Sequence, residues 1–189
     1  MTKIAHLLGN GPSRKSFINE PKGDIYGCNL SDENLDLKAS FIMDFVVLAH
    51  LYEKRVRLNW PIIIQGRYKR FCETEIQPRP IIAGLWWKEM ENGQSTGHHA
   101  FMYLLEHGYD EIHLWGFDAL ALDNCKSDTQ DKMPKAPFWP TNYLRWRDLW
   151  NRLFATEKAK AAKVIVHLNG ITQSVSFAPV AQSDSAVVS

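Results

Sequence analysis

The sequence predicts a single α/β domain built on a doubly wound, mostly parallel sheet. Three observations carry that expectation. Apolar runs of strand length recur along the chain, helix-like segments of mixed polarity stand between them, and the first run, Lys3-Ile4-Ala5-His6-Leu7-Leu8, breaks directly into Gly9-Asn10-Gly11-Pro12-Ser13. Strands that alternate with helices need crossover connections, and crossovers give parallel strands covered on both faces. The expected domain is Rossmann-like and covers residues 1–177, with a frayed tail over 178–189.

Residues 4–8 form the first expected strand, and residues 13–19 an expected helix. Pro12 keeps Gly11 out of that helix and fixes the turn, while Ser13 suits its cap. Glycines at 9 and 11 let the backbone approach a phosphate, and a helix start there presents N–H groups at the positive end of its dipole. The same spelling also serves a plain tight turn. Further strands are expected at 24–28, 39–43, 61–65, 111–115 and 163–168, and helices at 45–57, 97–107 and 141–161. Within 97–107, Ala100, Phe101, Leu104 and Leu105 share one face, and Gly108 stands where a helix-ending glycine belongs. Two stretches read as irregular, from about 66 to 94 and from 123 to 140. Loops of that length serve as lids or binding segments, or stay disordered.

Composition narrows the classes. A formal net charge of +1 argues against binding nucleic acid through bulk electrostatics. No apolar run reaches the roughly 20 residues of a membrane span, and Met-Thr-Lys-Ile does not open like a signal peptide. Cys28, Cys72 and Cys125 are odd in number and lack metal-ligand spacing, so they read as free thiols of a cytoplasmic protein with no metal centre. Seven tryptophans read as core filling, because no Lys/Arg interleaving marks a base-stacking surface. Self-association is left open.

In a parallel sheet, ligands bind outside the carboxyl ends of the strands. The residues following the expected strands are Gly9 to Ser13, Asn29, Asp44, Gly66-Arg67, Gly116 with Asp118, and Asn169-Gly170. Turn chemistry favours the same types. A second anion-loop candidate precedes the 97–107 helix: Ser95 or Thr96 can cap it and donate to a phosphate, and Gly97 opens backbone N–H groups. His98 and His99 offer acid–base chemistry near neutrality, although adjacent helical residues diverge by about 100° and only one can face a site. Asp118 either meets a hydroxyl, positions a loop or caps a turn, and Asp44 shares that ambiguity.

Three blocks occur in one order: Gly9-Asn10-Gly11-Pro12-Ser13 after a strand, Asp24-Ile25-Tyr26-Gly27-Cys28-Asn29, and Ser95-Thr96-Gly97 followed by the run from Gly108 to Trp115-Gly116-Phe117-Asp118. That order resembles the bacterial sialyltransferases that use CMP-sialic acid, and also the related 6-hydroxymethylpterin diphosphokinase-like proteins. The resemblance implies a nucleotide or nucleotide-sugar ligand, with CMP favoured. It assigns Asn10, Ser13, Ser95, Thr96 and Gly97 to the nucleotide, and Asn29 and Asp44 to the donor. The family's tyrosines and histidine base after the Gly-x-Asp strand end are missing, since residues 119–141 hold neither type. Tyr143 is the nearest phenol; Lys126, Lys132 or Lys135 could neutralise a phosphate, and Asp123, Asp128 or Asp131 could act as base.

The leading expectation is a nucleotide-sugar-dependent glycosyltransferase. Gly9, Asn10, Gly11, Ser13, Asn29, Asp44, Ser95, Thr96 and Gly97 bind the nucleotide, His98 and Asp118 are the catalytic candidates, and no Mg²⁺ is required. The alternatives are a nucleotide-binding protein without turnover and a pyrophosphoryl-transfer enzyme. The last needs Mg²⁺-binding carboxylates, for which Asp44 and Asp118 are the candidates.

Overall fold

The computed structural model describes residues 2–17, 22–29, 35–89, 94–120, 141–168 and 171–174. Its strands are β1 (Ile4–Leu8), β2 (Asp24–Cys28), β3 (Ala39–Ile42), β4 (Ile62–Gln65), β5 (Ile82–Trp86), β6 (Glu111–Trp115), β7 (Lys163–Leu168) and β8 (Ile171–Ser174). They form one sheet in the order β5-β4-β3-β2-β1-β6-β7-β8. The first seven pair in parallel, and β8 joins β7 antiparallel. The chain thus winds outward from β1 to β5, returns to the other side of β1 and continues through β6. The switch point of the sheet falls between β1 and β6.

Helices cover both faces. On one face lie α1 (Phe45–Lys54) and α2 (Lys69–Thr74); on the other lie α3 (Thr96–Glu106), α4 (Thr141–Phe154) and α5 (Glu157–Ala161). Every residue of β3 and β4 is buried, the mark of strands covered on both sides. Leu8, Ile42, Ile62 and Ile64 pack under Val47, Leu48 and Leu51 of α1. Leu7, Phe41, Ile112 and Val164 pack under Phe101 and Leu104 of α3 and Trp150 and Phe154 of α4. Each such side chain contributes about 1.5–3 kcal/mol by leaving water. Beside β1 the face toward α1 changes character: His6, His113, Trp115 and His167 stack there, joined by His113 Nδ1 to His167 Nε2 (2.9 Å) and Trp115 Nε1–H to His6 Nδ1 (3.2 Å).

The doubly wound class expected from the sequence is the one observed, with several corrections to its elements. The helix expected at 13–19 is a short 3-10 turn, Pro12–Ser16, with Gly11 rather than Ser13 at its cap. The helix expected at 45–57 stops at Lys54, because Arg55 turns left-handed (φ 50°) and Val56 N–H closes onto Leu51 O. The helix expected at 97–107 runs over Thr96–Glu106 and ends as anticipated: Gly108 is left-handed (φ +71°), and Tyr109 N–H returns to Leu104 O. The helix expected at 141–161 breaks in two, Thr156 capping α5 by accepting from Ala159 N–H. The stretch from 66 to 94, expected to be irregular, carries α2 and β5. β8 is a further unanticipated strand. Residues 123–140 and 178–189 lie outside the described residues.

Candidate functional site

The strand ends at the switch point gather most of the predicted residues on one rim. Asn29 closes β2 in the left-handed conformation (φ 58°), which asparagine tolerates better than most side chains. Its N–H donates to Phe41 O (2.7 Å), and its own carbonyl accepts from Ser40 Oγ (2.7 Å). Held there, Asn29 Oδ1 lies 3.2 Å from Thr96 Oγ1, which is also 3.0 Å from Asp44 Oδ2. The end of β2, the residue entering α1 and the first residue of α3 therefore meet at one hydroxyl. Thr96 has one proton for two acceptors. Burial raises the Asp44 carboxyl above its ordinary range, with the Thr96 bond opposing. When protonated, Asp44 donates to Thr96, whose own proton then goes to Asn29.

The two glycine turns share this rim through Phe117. A Cβ on Gly97 would stand 2.5 Å from Phe117 Cε1, and one on Gly9 would stand 3.2 Å from Phe117 Cε2. The helix starts of the sequence reading are neighbours. They are not alike, however. In the first loop Gly9 N–H donates to Trp115 O (2.7 Å) and Gly11 N–H to Gly116 O (2.8 Å). Ser13 donates to Asp118 through its N–H (3.1 Å to Oδ2) and its hydroxyl (2.8 Å). The three N–H groups expected to meet a phosphate are turned toward the β6 loop instead. The glycines serve that apposition: a Cβ on Gly9 would lie 2.5 Å from Gly116 O, and one on Gly11 would lie 2.2 Å from Asp118 Oδ2. Asn10 keeps its side chain on the rim, donating from Nδ2 to Cys28 O (3.2 Å).

Asp118 is buried, 1% exposed, so of its anticipated roles the positioning of a loop matches its contacts. His98 is fully buried and stacked on Trp150 at 4.6 Å. Its Nδ1 accepts from Ser95 N–H (3.0 Å) and meets Ser95 Oγ (2.8 Å), while Nε2 reaches Trp146 O (3.3 Å). Ser95 is the cap of α3, with His98 in the place a glutamate takes in a capping box. Burial lowers the His98 pKa to about 4. His99, accepting from Trp86 Nε1–H at 2.9 Å, is likewise lowered to about 4, burial first and the charge of Lys88 second. Cys28 beneath the rim is pushed up to about 12 by burial.

Sequence reasoning missed two participants. Phe117 is the ring between the turns, and Arg14 donates from Nη1 to Asn10 Oδ1 (3.2 Å), while Gly116 (φ +72°), already placed at the strand ends by the sequence, gives the first loop its backbone partner. Position 14 directly follows the glycine motif, the one signal that could have marked it. Asp123, Lys126, Asp128, Asp131, Lys132 and Lys135 lie outside the described residues, as does the Tyr143 side chain.

With this geometry, the chain superposes on the monofunctional α-2,3-sialyltransferase Cst-I from Campylobacter jejuni at a TM-score of 0.51, over 89% of this chain and 76% of that one, with 17% identity. It has the fold of a sialyltransferase. The sialyltransferase CST-II, solved in complex with a trisaccharide acceptor and CMP, is also similar, at 18% identity over 93% of this chain and 92% of that one, with a TM-score of 0.49. No family model and no curated protein matches the chain. The sialyltransferase-like fold accords with the order of the three motif blocks.

Proposed function

We propose that this protein is a nucleotide-sugar-dependent glycosyltransferase, moving a sugar from a nucleotide donor, CMP-type in preference, to an acceptor hydroxyl. The observation that carries the reading is the meeting of Asn29, Asp44 and Thr96 on the strand-end rim beside the start of α3. Asn10, Asn29 and Thr96 supply neutral hydrogen-bonding groups suited to a sugar and a base. The start of α3, an eleven-residue helix, offers its dipole to the departing phosphate. Asp44, with its carboxyl raised by burial, is the group suited to take the acceptor proton. The scheme asks for no divalent metal.

A second reading is a nucleotide-binding protein without turnover. It is favoured by the burial of His98 and Asp118, whose side chains are engaged by Ser95, Trp146 and Ser13. One set of measurements separates the two. Thermal shift against CMP, CDP, UDP, GDP and ATP, with and without Mg²⁺, reads binding, since a ligand at 100 times its dissociation constant adds about 2.7 kcal/mol. Release of CMP from a CMP-sugar, accelerated by a glycan acceptor, supports the transferase. Binding with no release supports the second reading, and Mg²⁺-dependent AMP formation from ATP overturns both.

A further inference from the structure

The first loop directs its Gly9, Gly11 and Ser13 N–H groups into the β6 loop, which leaves the partial charge at the start of α3 and any cationic side chain on the rim to meet a ligand's negative charge. The half-buried side chain of Arg14 is placed for it. Its stem lies against Gly116, where an added Cβ would stand 3.0 Å from Arg14 Cβ. Its guanidinium donates to Asn10 Oδ1, and Asn10 in turn donates to Cys28 O, one residue before Asn29. A continuous run of contacts therefore joins Arg14 to Asn10, the end of β2, Thr96 and Asp44. Arg14 reaches the end of β2 through Asn10 and Cys28 O, and Asp44 reaches it through Thr96 and Asn29, so a cation and a carboxylate stand around the same strand end. An anion entering beside Asp44 meets repulsion unless a cation offsets it.

We propose that Arg14 is the anion-binding residue of this site, holding the phosphate of the nucleotide through its guanidinium while Asn10 fixes the orientation of that group. The assignment rests on the nucleotide reading for the identity of the ligand, and on the hydrogen-bond geometry of the rim for the residue. A planar guanidinium engages two phosphate oxygens at once, which an ammonium cannot do. Phosphate selectivity then resides in one side chain on the 3-10 turn instead of in the backbone of the glycine loop.

The test measures affinity of the full chain and of Arg14→Gln for CMP, cytidine and pyrophosphate by isothermal titration calorimetry. Arg14→Gln is expected to weaken CMP and pyrophosphate by about 10- to 100-fold, the range of a charge-assisted contact, and to leave cytidine within twofold. Arg14→Lys is expected to recover part of the loss. Equal CMP affinity in wild type and Arg14→Gln overturns the assignment, as does an equal loss for CMP and cytidine. If the wild type binds pyrophosphate but neither CMP nor cytidine, the nucleotide reading fails. Arg14 is then judged on pyrophosphate alone: loss in Arg14→Gln sustains it, and no loss overturns it. Binding of none of the three overturns both. Near-identical circular dichroism and melting of Arg14→Gln identify the change as local.

Discussion

At the scale of single residues, Asp44 has two separable properties. Its amide isostere keeps a hydrogen-bonding partner for Thr96 and removes the carboxylate. Asp44→Asn is therefore expected to lower kcat by about 10²- to 10⁴-fold, the contribution typical of a general base, while CMP affinity stays within a few-fold. Stability should move the other way. A carboxyl raised by burial favours the folded state while protonated, and loses that contribution as pH rises through its folded value. Asp44→Asn is thus expected to melt at or above the wild-type temperature at pH 8, measured by calorimetry.

Among elements, α3 gives the site Thr96 and a helix start, and its two ends were unequally legible. The helix-ending role of Gly108 could be read directly, because a left-handed closing residue leaves a glycine at a fixed offset from the last apolar position. A Cβ at Gly108 meets nothing within 4 Å, so Gly108→Ala isolates the cost of the left-handed backbone. It is expected to destabilise by about 1 kcal/mol in urea unfolding. The start of α3 was legible as residue types but not as contacts. Ser95 and Thr96 compete on paper for the cap; in the fold Ser95 takes it, and Thr96 reaches two strand ends distant in sequence. The short elements were hidden for physical reasons. β5 is an edge strand with Gly84 at its centre, which weakens an apolar run, and six-residue α2 is too brief to show a period. The first glycine loop was misread in its donors, since nothing local reveals that its N–H groups will meet the carbonyls of Trp115 and Gly116 a hundred residues on.

For the molecule as a whole, the parallel order and the switch point follow from the alternation of strands with helices, and they bring Asn29, Asp44 and Thr96 together. The same packing buries imidazoles that elsewhere would titrate near neutrality. His98, His99 and His167 are each lowered to about 4, burial being the first cause in all three. A histidine lowered in the folded state contributes stability above its unfolded value of 6.5 and loses it as pH falls through the folded value. The urea midpoint is expected to be flat above about pH 7 and to fall steadily between pH 6.5 and 4, with net proton uptake on unfolding across that window. A midpoint constant down to pH 4.5 would contradict the buried, neutral state of these rings.

Phe117 gives the two turns a common wall, so neither can be enlarged without moving the other's neighbour. Gly97→Ala drives a methyl into that aromatic ring, which is itself wedged against Trp150 at 5.4 Å. Trimming the ring should therefore restore room: Gly97→Ala with Phe117→Ala is expected to cost less than the sum of the two single changes in a double-mutant cycle. Natural variation at position 97 would then be permitted only in chains whose residue 117 has already shrunk, which ties the history of one turn to that of the other.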